Sequence, residues 1–284
     1  MTIKLVASDL DDTLVDRNSN IAASNLKAIE VINEKNINFA ICTGKTYSIT
    51  KNICDKCNAS YGIFGNGMQI MDLKNKKEIY RNLLAKEDIK KCMEIAKQHK
   101  LHVHIYTDNA VVTEKLLYMD LRNYTLSQTP TGSKDLEFKI VDNIEEYILN
   151  NDINIFKIVI SDETGLMDVK TEIEKATDLN IVYVKKIGEY KDYIIKKEYE
   201  YLDINPKNIS KNEALNVLKG YLNINKDEVM AIGDNLNDIG MIKDSGIGVA
   251  VANAYDDVKK FATYTTTNNA ADGGFAEAIE KYIV

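Results

Sequence analysis

Asp9-Leu10-Asp11-Asp12-Thr13 constrains this chain more than any other stretch. It follows at once on Ile3-Lys4-Leu5-Val6-Ala7, a run that reads as a buried strand. Buried parallel strands look like that, and open α/β sheets hold their chemistry just past the carboxyl ends of such strands. Three carboxylates within four residues repel one another. A fold tolerates them at a strand end where a cation joins them or where the loop stays wet. The first arrangement is a nucleophilic carboxylate beside a second carboxylate and a divalent metal. The second is a solvated acidic turn.

The 284 residues are 45% hydrophobic and 28% charged, which suits one large folded core or two modest ones. The formal net charge of -7 argues against nucleic acid as a partner, because no basic surplus exists to neutralise its phosphates. Small phosphorylated molecules need only one local cationic pocket and stay open. The chain reaches Asp9 before any long apolar run, and no run approaches the roughly 18 residues of a membrane span. We therefore expect a soluble cytoplasmic protein without a membrane partner. Cys54-Asp55-Lys56-Cys57 has the C-x-x-C spacing of redox or zinc sites, but no second ligand pair stands at suitable spacing. The expectation is reduced thiols at Cys42, Cys54, Cys57 and Cys92, and ordinary surface histidines at His99, His102 and His104.

The first 80 residues alternate strand-like and helix-like segments. Ile3–Leu10, Ile37–Thr43 and Tyr61–Phe64 read as strands. Ser24–Lys35 reads as a helix capped by Ser24 and stopped at Asn36, and a second helix falls near Ser48–Cys57. A β-α-β-α-β order implies right-handed crossovers and a parallel sheet. The end of the chain resumes this style. Ser210–Tyr221 carries a capping-box signature at Ser210 and Glu213, and Val229–Ile232 and Gly246–Ala252 read as buried strands. Helices are expected over Ile239–Asp244, Asp256–Ala262 and Gly274–Tyr282.

The middle differs. Glu87–His99 is helix-like, and Leu101–Thr107 with Ala110–Thr113 suggests a hairpin around Asp108-Asn109. Glu145–Leu149 and Thr164–Thr177 read as helices, Ile155–Ser161 and Ile181–Val184 as strands, and Tyr190–Tyr201 as an exposed strand pair. Both prolines, Pro130 and Pro206, fall between periodic segments. The expected organisation is a doubly wound α/β core from 1–82 and 198–284, interrupted by an α+β insert over 83–197.

Three further stations suit phosphate-handling chemistry, and each alone also fits an ordinary turn or surface position. Thr43-Gly44 ends a strand-like run, where a hydroxyl and free backbone N–H groups suit a phosphate oxygen; a plain strand-to-helix turn has the same sequence. Lys211 falls in the first turn of the helix capped by Ser210. The helix dipole makes a cation unfavourable there unless an anion sits in front of it, and taken alone the position equally suits an exposed lysine pointing into water. Gly233-Asp234-Asn235-Leu236-Asn237-Asp238 places two more carboxylates at a strand end. Leu236 in a ligand position and the missing distal Glu exclude an EF-hand, whereas Mg²⁺ accepts a few carboxylates and keeps several waters. The strand ends carrying Asp9, Thr43 and Asp234 would share one edge of a parallel sheet, where doubly wound folds bind ligands.

With these residues the chain resembles the haloacid dehalogenase-like superfamily, and more narrowly its Cof-type hydrolases. Asp9-x-Asp11-x-Thr13, Thr43-Gly44, Lys211 and Gly233-Asp234-x-x-Asn237-Asp238 match the four motifs. Asn66-Gly67, Gly248–Ala254 and Asp272-Gly273-Gly274 look like signatures of the subfamily. Lys45 stands where the family usually has Arg, Asn212 where it usually has Gly, and Asp12 where Gly is frequent. The resemblance implies a Rossmann-like core, an inserted α+β cap and a Mg²⁺-dependent phosphatase acting on a small phosphorylated metabolite. It implies Asp9 as nucleophile and Asp11 as acid and base. Mg²⁺ would sit on Asp9, the Asp11 backbone carbonyl and Asp234. Thr43, Gly44, Lys211 and Asn237 would handle the phosphate, and Asp238 would orient Lys211 and metal waters. The cap would close over the site and read the leaving group. Sugar phosphates lead as substrates, followed by flavin mononucleotide or pyridoxal phosphate. A phosphosugar mutase and an idle binding protein of the same fold are the alternatives. Tyr106, Tyr118, Tyr124 and Tyr183 are expected to pack rather than to form a ligand platform. The oligomeric state is left open.

Overall fold

The computed structural model describes residues 2–115, 137–189 and 196–284. Tyr118, Tyr124, Pro130 and Tyr190 lie outside the described residues. The chain forms two compact units, Met1–Arg81 with Ile209–Val284, and Asn82–Asn208.

The first unit opens with β1 (Leu5–Asp9), α1 (Ala23–Glu34), β2 (Asn38–Cys42), α2 (Tyr47–Lys56) and β3 (Tyr61–Phe64). Asn36 adopts φ 55° after α1, as its tolerance of the left-handed region predicts. Ser24 does not cap α1. The N-cap is Ala22, without a side-chain bond, and the Ser24 side chain lies where a Cβ on Gly273 would fall. Two strands follow that the sequence reading did not anticipate, β4 (Gln69–Asp72) and β5 (Lys77–Arg81). They pair antiparallel, β4 on β3 and β5 on β4.

The second unit runs α3 (Lys86–Gln98), β6 (His102–Thr107), β7 (Ala110–Thr113), β8 (Glu137–Ile140), α4 (Ile144–Asn150), β9 (Ile155–Asp162), α5 (Leu166–Ala176), β10 (Asn180–Glu189) and β11 (Lys196–Asn205). Its sheet has the order β10-β11-β9-β6-β7-β8. Every described neighbouring pair is antiparallel except β7 with β8. One face buries Val103, Ile105, Ile158, Ile160, Leu202 and Ile204 against Ile89, Cys92 and Ala96 of α3 and Leu166, Val169 and Ile173 of α5. β11 stays paired with β10 as far as Asn205, so the chain returns to the first unit at Ile209 rather than near residue 198. His102 and His104 are buried, against the expectation of surface positions, and only His99 is exposed. The Tyr106 ring stacks beside His104, centroids 5.6 Å apart, and Tyr183 packs on the second-unit core.

The return adds α6 (Lys211–Leu222), β12 (Val229–Gly233), α7 (Ile239–Lys243), β13 (Ile247–Ala250), α8 (Asp256–Lys259), β14 (Tyr264–Thr265) and α9 (Gly274–Tyr282). The first-unit sheet has the order β14-β13-β12-β1-β2-β3-β4-β5, parallel from β14 to β3. Alternate residues of the central strands point to opposite faces. Val6, Phe39, Ile41, Met230 and Ile232 pack with α1, α2 and α9, while Leu5, Ala7, Ala40, Val229 and Ala231 pack with α6 and α7. Both faces are covered, which is the doubly wound α/β arrangement. β1 lies between β12 and β2, so the loops after these three strands emerge side by side.

Candidate active site

The loop after β1 carries the first acids. Asp9 is level with Cys42 in the β1–β2 register, and Ser8 is level with Ile232 of β12. The chain then turns tightly, with the Leu14 and Val15 N–H groups both donating to the Leu10 carbonyl at 3.0 and 2.9 Å. Asp12 takes φ 55° inside this turn. Gly would enter this left-handed region without the Cβ penalty that Asp12 bears. Thr13 is fully buried and its hydroxyl donates to Asp234 Oδ1 at 3.0 Å, tying the β1 loop to the β12 loop.

Asp238 reaches back along the β12 loop. Its Oδ2 accepts the N–H groups of Asp234 and Asn235 at 3.1 and 3.0 Å. Gly233 makes this possible: a Cβ there would stand 2.5 Å from the Asp238 Cβ. Asp238 Oδ1 accepts from Lys211 Nζ at 2.7 Å, and Lys211 also donates to Asp9 Oδ1. Lys211 is therefore not a solvated lysine; its side chain is 1% exposed. Its place in the first turn of α6 is held by Ser210, which has extended backbone and whose hydroxyl accepts the Glu213 N–H at 3.0 Å. The two carboxylates supply the negative charge that a cation at a helix N-terminus requires.

The turn Gly65–Gly67 joins the remaining station to these. Asn66 donates its N–H to the Thr43 carbonyl at 2.9 Å and accepts from the Asn237 side chain at 3.0 Å. Gly67, at φ 112°, seats on the α6 N-terminus, where a Cβ would come within 2.5 Å of the Ser210 carbonyl oxygen. Thr43 is buried beside this turn and its Oγ1 accepts the Lys45 N–H at 3.1 Å. A Cβ on Gly44 would lie 3.1 Å from the Asn66 amide. Lys45 Nζ pairs with Asp11 Oδ1 at 2.6 Å, and the Asp11 side chain stays half-exposed. The sequence marked Lys45 only as a departure from Arg and did not foresee its pairing with Asp11.

The site is short of positive charge. Burial pushes the Asp9 carboxyl well up, Lys211 pulls it down, and the Asp238 and Asp234 charges push it up again. Asp234 is raised to about 6 by burial, against the Thr13 hydrogen bond, with the charges of Asp238 and Asp12 adding to the rise. Burial opposes the charge on Lys211, but Asp9 and Asp238 hold it protonated and raise its pKa. Oxygen atoms of Asp9, Asp234 and Asp238 lie within 4.8 Å of one another. An all-carboxylate set of this span could hold a hard divalent cation, which prefers oxygen ligands. Both Asp238 oxygens are engaged by Lys211 and the backbone, whereas Asp9 and Asp234 each have only one oxygen bonded to Lys211 or Thr13 and are the carboxylates of the cluster that could hold such a cation. The C-x-x-C pair is different in kind. Cys54 and Cys57 are free and buried, and burial pushes both thiols up to about 12, which makes them packing residues.

A doubly wound α/β core puts this cluster of carboxylates and Lys211 at the carboxyl edge of its central strands, where such folds bind ligands. The family model described as haloacid dehalogenase-like hydrolase matches residues 6–279, and the chain belongs to that family, in its Cof-type branch. The chain is similar to the 5-amino-6-(5-phospho-D-ribitylamino)uracil phosphatase YcsE of Bacillus subtilis. The two are 28% identical, over 99% of this chain and 96% of that protein. It is 26% identical to a phosphoglycolate phosphatase of Methanobrevibacter smithii over the full length of both. Among solved structures, a haloacid dehalogenase-like hydrolase from Bacteroides thetaiotaomicron superposes with a TM-score of 0.80 at 26% identity, covering 99% of each chain.

Proposed function

We propose that the protein is a Mg²⁺-dependent phosphatase that hydrolyses small phosphomonoesters through a phosphorylated Asp9. The observation that carries this reading is the buried convergence of Asp9, Asp234 and Asp238 with Lys211 at one sheet edge. A divalent cation held by Asp9, Asp234 and the Asp11 backbone carbonyl would neutralise the anionic nucleophile and phosphate as they approach.

Phosphate monoesters are among the slowest substrates in water, so positioning and charge stabilisation supply most of the acceleration. An Asp9 carboxylate oxygen attacks phosphorus while the bond from phosphorus to the leaving oxygen breaks. The carboxyl of Asp11 donates its proton to that leaving oxygen. Water then attacks the phosphoryl group on Asp9, Asp11 takes a proton from that water, and the Asp9 carboxylate is regenerated. Lys211 spends two N–H donors on Asp9 and Asp238 and has a third for a phosphoryl oxygen. Thr43, the Gly44 backbone and Asn237 are assigned to the same phosphoryl group. The Lys45 ion pair belongs to the ionised Asp11 carboxylate, the form left after the leaving oxygen is protonated and the form that takes the proton from water in the second step.

We assign choice of leaving group to the inserted unit, residues 82–208. The two relatives named above carry very different leaving groups on similar levels of identity. We therefore propose hydrophilic metabolite phosphates, sugar phosphates first, as the substrate class. Phosphate release from a panel of phosphoesters, para-nitrophenyl phosphate included, tests the reading. Release that needs both Mg²⁺ and Asp9 supports it. Isomerisation of a bisphosphorylated sugar without free phosphate, or no turnover by the folded protein, contradicts it.

A further inference from the structure

Two asparagines that none of the steps above employs lie beside the β1 loop. The Asn253 side-chain N–H donates to the Asp12 carbonyl at 2.7 Å, and its Oδ1 accepts the Ala270 N–H at 2.9 Å. Asn25 is fully buried. Its Nδ2 donates to the Leu14 carbonyl at 3.1 Å and reaches the Ala270 carbonyl at 3.5 Å, and its Oδ1 accepts the Ala276 N–H at 3.0 Å. One residue, Ala270, thus sits between two side-chain amides that grip the Asp12 carbonyl of the acidic loop and the Leu14 carbonyl just after it.

Of the two gripped residues, Asp12 is the one less able to hold its own conformation. Asp12 stands at φ 55°, which costs a non-glycine residue about 1 kcal/mol or more. Its carbonyl orientation sets the peptide that leads into Thr13, and Thr13 is the residue bonded to Asp234. The same 252–255 turn reaches the other acidic loop, because the Tyr255 N–H donates to the Asp234 carbonyl at 3.0 Å. Asn253 is exposed, so burial of its own surface does not account for its place.

We propose that Asn253 and Asn25, joined through Ala270, form a brace that fixes the Asp9–Thr13 loop against the Asp234 loop and so sets the spacing of the cation-binding carboxylates. They are positioning residues, and the consequence for cation affinity rests on the function proposed above. Asn253→Asp isolates the effect: it keeps an acceptor for the Ala270 N–H but turns an oxygen toward the Asp12 carbonyl.

Two readouts on Asn253→Asp and Asn253→Ala decide the matter. Hydrogen exchange of the metal-free protein reads the loop itself. The Leu14 and Val15 amides should exchange about tenfold faster in both variants, with α6 unchanged. Direct Mn²⁺ binding, followed by electron paramagnetic resonance, reads the spacing. Affinity should fall about tenfold, the scale of one lost hydrogen bond to a carbonyl. Unchanged exchange at Leu14 and Val15 overturns the brace, and faster exchange with unchanged Mn²⁺ affinity overturns its positioning role. Wild-type protein that binds no Mn²⁺ sinks the proposed function instead, and the exchange measurement then judges the brace alone.

Discussion

Lys211 Nζ donates to Asp238 Oδ1 at 2.7 Å, and the two side chains are 1% and 0% exposed. A buried ion pair contributes little net stability when intact, but removing one partner leaves an uncompensated charge and costs about 3–5 kcal/mol. Asp238→Ala strands the Lys211 ammonium and also the N–H groups of Asp234 and Asn235. It should lower the melting temperature sharply. Asp238→Asn keeps the shape but cannot accept from all three donors. We expect it to fold with kcat reduced about a hundredfold, the order lost with one charge-stabilising donor. Thermal melts and steady-state kinetics on both variants check this.

Thr13→Val removes the hydroxyl that joins Asp234 to the β1 loop while keeping the volume. The variant should melt within a few degrees of the wild type, because one neutral hydrogen bond nets about 1 kcal/mol. Its Mg²⁺ requirement should rise about tenfold, the usual penalty for losing a partner that orients a metal-binding carboxylate. A Mg²⁺ titration of activity, with the ester saturating, measures it. An unchanged requirement would show that Asp234 is oriented without Thr13.

The positions of Asp9, Thr43, Lys211 and Asp234 were legible because each lies at the end of a buried apolar run or beside a capping residue. A strand end is a local property, and parallel order then brings the ends together. Ser210 shows the same locality, since its cap depends on Glu213 three residues on. The Lys45–Asp11 pair, the Asn253–Asp12 bond and the burial of His102 and His104 were not legible, because their partners are remote in the chain. β4 and β5 escaped because their turn uses Lys76 at φ 52° where a glycine would have announced it. Ser24 looked like a cap, but the approach of Gly273 decides its surroundings, and that approach is tertiary.

His102 and His104 predict acid sensitivity in the second unit. Burial lowers His102 to about 4, helped by the Lys115 charge and opposed by Glu114. Burial lowers His104 to about 3, helped by His102 and Lys157. Above pH 6.5 both are neutral in the folded and unfolded states and contribute no pH dependence. Below it the unfolded chain binds protons that the folded unit refuses, so stability falls as pH drops toward 4 and then 3. The slope is about 1.4 kcal/mol per pH unit for each histidine. Urea melts between pH 7 and pH 4 should show it, and His104→Gln should flatten it.

Glu277 predicts a different window. Burial raises it, but the hydrogen bonds from the Tyr264 hydroxyl and from the Thr267 and Asn268 N–H groups outweigh that and bring it down to about 2. A carboxylate with a depressed folded pKa stabilises fully above its unfolded value, here 4.5, and loses that contribution as pH falls toward 2. Glu277→Gln should therefore be less stable than wild type at pH 7, with the gap closing below pH 4.5. Urea midpoints of the two proteins across that range measure the gap.

The proposed reaction puts the phosphoryl group on Asp9. A saturating phosphoester with Mg²⁺, quenched within one turnover and treated with borohydride, reduces an acyl phosphate to an alcohol. Mass spectrometry of the peptide spanning residue 9 should find homoserine at that position in the wild type and none in Asp9→Asn. Phosphate release with an unmodified residue 9, or reduction at another carboxylate, would contradict the account.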